Sequence, residues 1–306
     1  MEAKGVSIFL TWGGSVKGII LAGGLGSRLY PLNMVVSKQL LPVYNKPLIY
    51  YPLTTLMLAG VHDILIITTP QDQPLFQRLL KDGSQWGIQL SYATQSHPGG
   101  TVEAILIGAS FIGDQPVALI LGDNIFYGEG MPGILKESSR LITGGLILAY
   151  YVKDPRQYGV VTFDSNEQVL DIEEKPERPR SNWAMTGLFF YASDVVEIAK
   201  EVRPSPRGEL EITDVNKYYM QQRALKLRLL GRGNAWFDTG THESMLEAAN
   251  YVATVERRQG LMIACPEEIA YVMGYIDAAQ LEKLIVSYRK NAYGDYLHRL
   301  HASGRR

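Results

Sequence analysis

A single cysteine, Cys265, serves the whole 306-residue chain, so an internal disulfide and a cysteine-rich zinc site are both excluded. It lies between Ala264 and Pro266 in an apolar run and is expected to be an inert packing residue. Excess charge of one sign is also missing: 30 Lys and Arg stand against 31 Asp and Glu, a formal net charge of -1. No global field then draws the chain to nucleic acid or to an anionic membrane, and any phosphate binding must be local. No run of about 18 apolar residues occurs, which argues against a membrane span and for a cytoplasmic location. The 5 histidines form no cluster with metal-ligand spacing, and His242 is expected to be a turn or packing residue. Residues 1–16 carry a short apolar run, Val6 to Trp12, behind a lone Lys4 and without a convincing cleavage signal before Lys17. They are expected to form an N-terminal extension, or to reflect a misassigned start, rather than a signal peptide.

What is present is enough apolar residue, 46%, for a substantial core in one large unit or two. Lys17 to Ala22 is a short apolar run ending at Gly23-Gly24, the pattern of a strand feeding a tight turn. Further strands are predicted at Ile64 to Thr69, Ile88 to Ala93, Val117 to Leu121, Leu146 to Val152, Val160 to Phe163, Val169 to Glu173 and Leu188 to Tyr191. Helices are predicted over Pro47 to Ala59, with Asn45 as its cap, over Thr101 to Phe111, and over Thr241 to Gln259, stopping at Gly260. Buried strands alternating with helices predict an α/β fold with a mainly parallel sheet covered on both faces. Beyond Gly144, shorter strands punctuated by Asp154-Pro155, Lys175-Pro176 and Arg178-Pro179 suggest antiparallel additions that wall a site.

The segment Gly23-Gly24-Leu25-Gly26-Ser27-Arg28 fits neither the dinucleotide fingerprint nor a P-loop, because Leu29 stands where the former needs glycine and no Gly-Lys-Ser/Thr follows. Its glycines still allow close backbone approach to phosphates, with help expected from a following helix N-terminus. Arg28 and, ten residues on, Lys38 would place two cations near one anion-sized space. A solvent-facing loop is the plain alternative. Asp123, after an apolar strand and Gly122, and Asp238, between Trp236-Phe237 and Thr239-Gly240, are two carboxylates at strand ends. Hard oxygen ligands of that kind suit a magnesium ion that shares phosphate oxygens with its substrate, although each Asp alone would equally suit a turn or a helix cap.

Seven strings, in order, resemble the glucose-1-phosphate thymidylyltransferase family of sugar-phosphate nucleotidylyltransferases. They are Lys17-Gly18-Ile19-Ile20-Leu21-Ala22-Gly23-Gly24, Ser37-Lys38-Gln39-Leu40-Leu41-Pro42, Leu121-Gly122-Asp123-Asn124-Ile125-Phe126-Tyr127-Gly128, Tyr158-Gly159-Val160-Val161, Glu173-Glu174-Lys175-Pro176, Gly208-Glu209-Leu210-Glu211-Ile212-Thr213-Asp214 and Trp236-Phe237-Asp238-Thr239-Gly240-Thr241-His242. The resemblance implies a Rossmann-like core with a sugar-binding portion over residues 17–240, C-terminal helices over 241–306, and a homotetramer. It implies that Leu21, Gly23, Gly24, Gly26, Arg28, Lys38, Gln39, Gln95 and Gly100 bind the nucleoside triphosphate, with Lys38 on its transferring and leaving phosphates. Asp123 and Asp238 would hold Mg2+, and Tyr158, Gly159, Glu174 and Lys175 would surround the sugar phosphate. Arg28, Lys38, Asp123, Lys175 and Asp238 would carry the catalysis. The implied reaction is in-line attack of glucose 1-phosphate on the α-phosphorus of dTTP, giving dTDP-glucose and pyrophosphate. No dedicated base is needed, since a phosphate monoester is already ionised near neutral pH.

The chain departs from the family pattern at Leu25, at Ser27, at Glu129, where a His is common, and across Gly100-Thr101-Val102-Glu103-Ala104, where Gly-Leu-Ala-Gln-Ala is usual. Glu103 is expected to sit near the phosphates, near the base, or in solvent on the first turn of its helix, and Glu103→Gln to improve dTTP use. Two rivals follow: a pyrimidine nucleotidylyltransferase with altered base or sugar choice, and a catalytically weak sugar-nucleotide-binding regulatory protein.

Overall fold

The computed structural model describes residues 16–24, 26–141, 143–288 and 290–304. The expectations for the N-terminal extension up to residue 15 and for Leu25 lie outside these residues. The first strand, β1 (Lys17–Ala22), buries Ile19, Ile20 and Ala22 completely, and Lys17 at its mouth pairs with Asp63 at 2.7 Å. A small antiparallel hairpin follows, β2 (Pro42–Val43) with β3 (Lys46–Pro47). Then come β4 (Asp63–Thr68), β5 (Gln89–Thr94), β6 (Val117–Leu121), β7 (Asn124–Gly128), β8 (Gly145–Tyr151), β9 (Gly159–Phe163) and β10 (Val169–Glu174). The last three are β11 (Trp183–Tyr191), β12 (Leu225–Leu230) and β13 (Asn234–Asp238).

Among the described residues nine strands form one mixed sheet. Its path runs β10-β9-β11-β6-β1-β4-β5, and β8 and β12 extend from β11. Strands β6, β1, β4 and β5 are parallel neighbours, whereas β8 to β11 add antiparallel pairs, except that β12 runs parallel to β8. The predicted Rossmann-like, mainly parallel core with antiparallel additions is thus present. Its connectivity locates the site. From β1 the chain builds outward through β4 to β5, then returns to lay β6 on the other side of β1, so the strand order reverses between β1 and β6. Loops leaving the carboxyl ends of two such strands diverge and open a crevice.

Several predicted boundaries change for physical reasons. The helix expected over Pro47 to Ala59 runs Tyr50–Leu58, because Lys46 and Pro47 are held in the β2–β3 hairpin. Asn45 is not its cap: the amide donates to Glu256 Oε2 at 2.8 Å. The helix expected over Thr101 to Phe111 breaks at Gly108 into Thr101–Ile107 and Ala109–Ile112. A side chain at Gly108 would meet Ile19 Cδ1 at 2.7 Å, so a glycine is what lets this segment lie on β1. Strand β11 begins at Trp183 rather than Leu188, since Trp183 to Met185 pair with Tyr151 to Ala149 of β8 and Ala184 with Val160 of β9. The C-terminal helix is as expected: Thr241 and Ser244 form a reciprocal capping box, and Gly260 ends it with φ 69°.

Three shorter helices, Pro266–Val272, Ala278–Ser287 and Ala292–Ser303, follow. Cys265, Ala270, Leu281, Ile285 and Leu297 from this region share a core with Ile20, Ile49 and Leu53. The thiol of Cys265 is pushed well above its ordinary range by burial and by Glu267, in keeping with an inert packing role.

Candidate functional site

The glycine turn sits at the switch point. Gly26 adopts φ 60°, and a side chain there would meet Asn33 Nδ2 at 2.8 Å and Lys38 Cδ at 3.2 Å, so the turn and the Lys38 stem are packed together. The expected helix after the turn is only the 3-10 turn Ser27–Leu29. One turn supplies little macrodipole. Attraction for an anion must then come from the side-chain cations. Arg28 extends across the crevice to Gln157 Oε1 at 3.1 Å, and a side chain on Gly240 would meet its Nη2 at 2.7 Å. Lys38 is 9% exposed, and its ammonium pairs with Asp123 Oδ2. Gln39 is buried beside the ends of β1 and β6, with its Cγ 3.0 Å from where a Gly122 side chain would lie.

Asp123 and Asp238 come together through non-local strand pairing. Strand β13 runs antiparallel to β7 with Asp238 opposite Asn124, and Thr239 donates its N–H (3.1 Å) and its hydroxyl (2.9 Å) to the Asp123 carbonyl. Burial alone would raise the Asp123 carboxyl, but Lys38 outweighs it and holds the group below the usual carboxylate range. Asp238 moves the other way, pushed up to about 6 by burial first and by the negative Asp123 second, against the opposing pull of Lys38, Arg28 and Lys175. Its Oδ1 is buried and finds no hydrogen-bond donor among the described residues. Two carboxylates ringed by three cations, with one oxygen lacking a partner, are chemically matched to a divalent ion completed by phosphate oxygens. No cluster of three or more potential His, Cys, Asp or Glu ligands occurs among the described residues, so protein groups alone would not cage a metal.

Away from this centre, the other end of the crevice lies at the exit of β5. Gln95, at the exit of β5, is 3% exposed. Strands β5, β4, β1 and β6 are successive neighbours, so Gln95 and Asp123 leave the sheet from strands three places apart. Gly100 takes φ 100°, where a side chain would strike the Leu210 backbone; Leu210 N donates to Gly99 O at 2.8 Å and Val102 N to Leu210 O at 3.2 Å. The Glu103 carboxylate stands in the first turn of its helix, beside Gln95. Its Oε2 accepts from Gln95 Nε2 at 2.6 Å and from Gly99 N at 3.1 Å.

The antiparallel strands wall the other side. Tyr158 packs edge-on against Trp236 with ring centroids 5.1 Å apart, and its hydroxyl is raised by burial and then by Asp238. Glu174 closes β10, where Oε2 accepts from Thr213 Oγ1 at 2.6 Å and Oε1 lies 3.7 Å from Lys175 Nζ. Gly159 leaves room beside Glu174 Oε2, which a side chain there would approach to 3.4 Å. Lys175 takes φ 43°, its N–H donating to Tyr158 O at 3.0 Å, a conformation that turns the chain out of the strand. His242 is exposed in the first turn of its helix.

Three residues of the site escaped sequence reasoning. Asn124 is 1% exposed; its Oδ1 accepts from Trp236 Nε1 at 2.6 Å and Gly187 N at 3.0 Å, and its Nδ2 donates to Asp123 Oδ1 at 2.9 Å. A lone asparagine opening the apolar run Ile125-Phe126 was the available signal. Thr213 and Arg207 reach Glu174, the latter at 3.6 Å, and only their place near the Gly208 to Asp214 string hinted at it.

A family model for nucleotidyl transferases matches residues 17–255. A glucose-1-phosphate thymidylyltransferase from Xanthomonas campestris pv. campestris is 56% identical over 281 residues, 92% of this chain and 95% of that protein. One from Mycobacterium tuberculosis is 55% identical over 282 residues, 92% of this chain and 98% of that protein. Among solved structures, a UDP-glucose pyrophosphorylase complexed with UDP-glucose superposes with a TM-score of 0.69 at 26% identity, over 79% of this chain and 99% of that chain.

Proposed function

The chain belongs to the nucleotidyl transferase family, and from that premise we propose that it transfers a thymidylyl group from dTTP to glucose 1-phosphate, releasing pyrophosphate. The observation that carries this most directly is the Asp123–Asp238 pair among Lys38, Arg28 and Lys175 at the switch point. Those two carboxylates hold Mg2+, which supplies positive charge for the phosphate oxygens. Gly23, Gly24 and Gly26, with Leu21 at the strand end, admit the triphosphate; Arg28 and Lys38 follow the charge that develops on pyrophosphate. Gln95 and Gly100 face the base, and Gln39, buried at the ends of β1 and β6, lies along the nucleotide. Tyr158, Gly159 and Glu174 seat the sugar, and Lys175 meets its phosphate. Their work is alignment of two anions that repel in free solution, and no covalent enzyme intermediate is involved.

A homotetramer fits the exposed Leu246, Leu261, Val272 and Val286, which give the C-terminal region apolar surface to bury. No helix among the described residues is long and apolar enough to cross a membrane; a cytoplasmic location is proposed on the sequence argument alone. A matrix of nucleoside triphosphates against sugar 1-phosphates with magnesium, following pyrophosphate and nucleotide sugar together, tests the assignment. Preference for another pair of substrates would overturn it. Lys175→Ala is expected to raise KM for glucose 1-phosphate at least tenfold, with a smaller effect on dTTP, because a charge-assisted contact contributes about 1.5 to 3 kcal/mol. Equal losses for the two substrates would remove Lys175 from the sugar-phosphate site.

A further inference from the structure

The Gln95 amide is oriented by its neighbours. One of its terminal atoms faces two acceptors, Glu103 Oε2 at 2.6 Å and the Gly100 carbonyl oxygen at 3.3 Å. Only the nitrogen can stand there, since an oxygen would bring three lone-pair atoms together without a proton between them. The other atom, Oε1, is thereby turned to the glycine turn, where it is the first atom that a side chain on Gly23 would meet. Glu103 is itself fixed, because the same Oε2 accepts the Gly99 N–H at 3.1 Å and Gly99 is tied to Leu210. The charges also give the crevice a polarity. A carboxylate stands at the Gln95 end, and the cations Arg28, Lys38 and Lys175 gather around Asp238. Phosphates are drawn to the second end, which leaves a base for the first.

We infer that Glu103 is a positioning residue for base selection: it holds Gln95 Nε2 away from the ligand and leaves Oε1 as an acceptor that favours a pyrimidine with a ring N–H. This rests on the proposed function, in which Gln95 faces the base. Thymine and uracil present N3–H to such an acceptor. Cytosine presents a bare N3, so two lone pairs face each other and the base is disfavoured. A glutamine at position 103 can turn its own carbonyl oxygen to the same two donors, and Glu103→Gln therefore keeps the device instead of improving on it. Glu103→Met has similar length but no acceptor, and frees Gln95 to offer its nitrogen to cytosine.

The test is kcat/KM for dTTP, dUTP and dCTP with glucose 1-phosphate in the wild type, Glu103→Gln and Glu103→Met, with Glu103→Ala as a second acceptor-free variant and thermal melts alongside. The wild type is expected to favour dTTP and dUTP over dCTP. Glu103→Gln keeps the dTTP-to-dCTP ratio within about threefold, and the acceptor-free variants lower it by about tenfold, equivalent to about 1.4 kcal/mol. A loss of activity with the ratio unchanged would mark Glu103 as merely structural and overturn the inference. A wild type that uses dTTP and dCTP equally would overturn it as well, while leaving the transferase assignment standing. A wild type that makes no nucleotide sugar from dTTP would overturn the proposed function, and the inference with it.

Discussion

Asp238→Asn is expected to lower kcat by about a hundredfold or more and, in the absence of metal, to make the folded protein more stable at neutral pH. The two effects have one cause. Asp238 is buried beside the negative Asp123, and its carboxyl is raised from 3.8 to about 6. A raised acid favours its protonated form in the folded chain. No cost is present below pH 3.8, it grows between pH 3.8 and about 6, and it is complete above that. Asparagine removes a cost of order 1–3 kcal/mol. Thermal melts in chelator should show the variant above the wild type at pH 7.5, with the gap closing near pH 4. Asp123→Asn should lose activity comparably, without a matching gain, because it takes the partner from a Lys38 that is 9% exposed. Unchanged turnover and magnesium dependence in both variants would sink the two-carboxylate assignment. A melting gap that ignores pH would sink the electrostatic account.

The largest loss of stability is expected from breaking the buried pair that ties the β2–β3 hairpin to the helix His242–Gln259. Lys46 Nζ donates to Glu256 Oε1 at 2.6 Å, and the same oxygen accepts the Ile263 N–H at 2.8 Å. Glu256 Oε2 accepts from Asn45 Nδ2 at 2.8 Å. Burial pulls Lys46 below its ordinary value, with Glu256 acting against that pull. Glu256→Ala leaves an ammonium in the core with its counter-charge gone, a change that costs about 3–5 kcal/mol. Lys46→Met combined with Glu256→Leu should recover much of the loss, since neither charge is then stranded. Equilibrium denaturation of the single and double variants measures this, and a double variant no better than Glu256→Ala would refute the stranded-charge explanation. The pair also has a functional reach. It pins the β2–β3 hairpin, which follows Lys38 directly, to the helix His242–Gln259. KM for the triphosphate should therefore rise in Glu256→Ala before the protein unfolds.

Much of the candidate site is legible in the chain because it rests on local chemistry. Glycine is needed where the backbone turns with φ 60° at Gly26, and the apolar run of β6 ends just before Asp123 enters the crevice, so both sites are marked by residue type and spacing. The helix Thr241 caps itself with Ser244, which is also a local bond. Other features were settled by segments distant in sequence. The helix begins at Tyr50 and not at Pro47 because a hairpin, held by Glu256, claims the preceding residues. Strand β12 carries the period-2 alternation Leu225-Lys226-Leu227-Arg228-Leu229, but its place parallel to β8 is decided only in the fold. The opposite pKa shifts of Asp123 and Asp238 arise because burial raises both, Lys38 outweighs it only at Asp123, and the β13–β7 pairing sets Asp238 beside the negative Asp123. Glu103 faces Gln95 because Leu210 bonds to Gly99 and fixes the loop between them. Residue type and spacing specify what a group can do; its charge state and the direction it faces follow from burial and from partners that only the folded chain brings within a few ångströms.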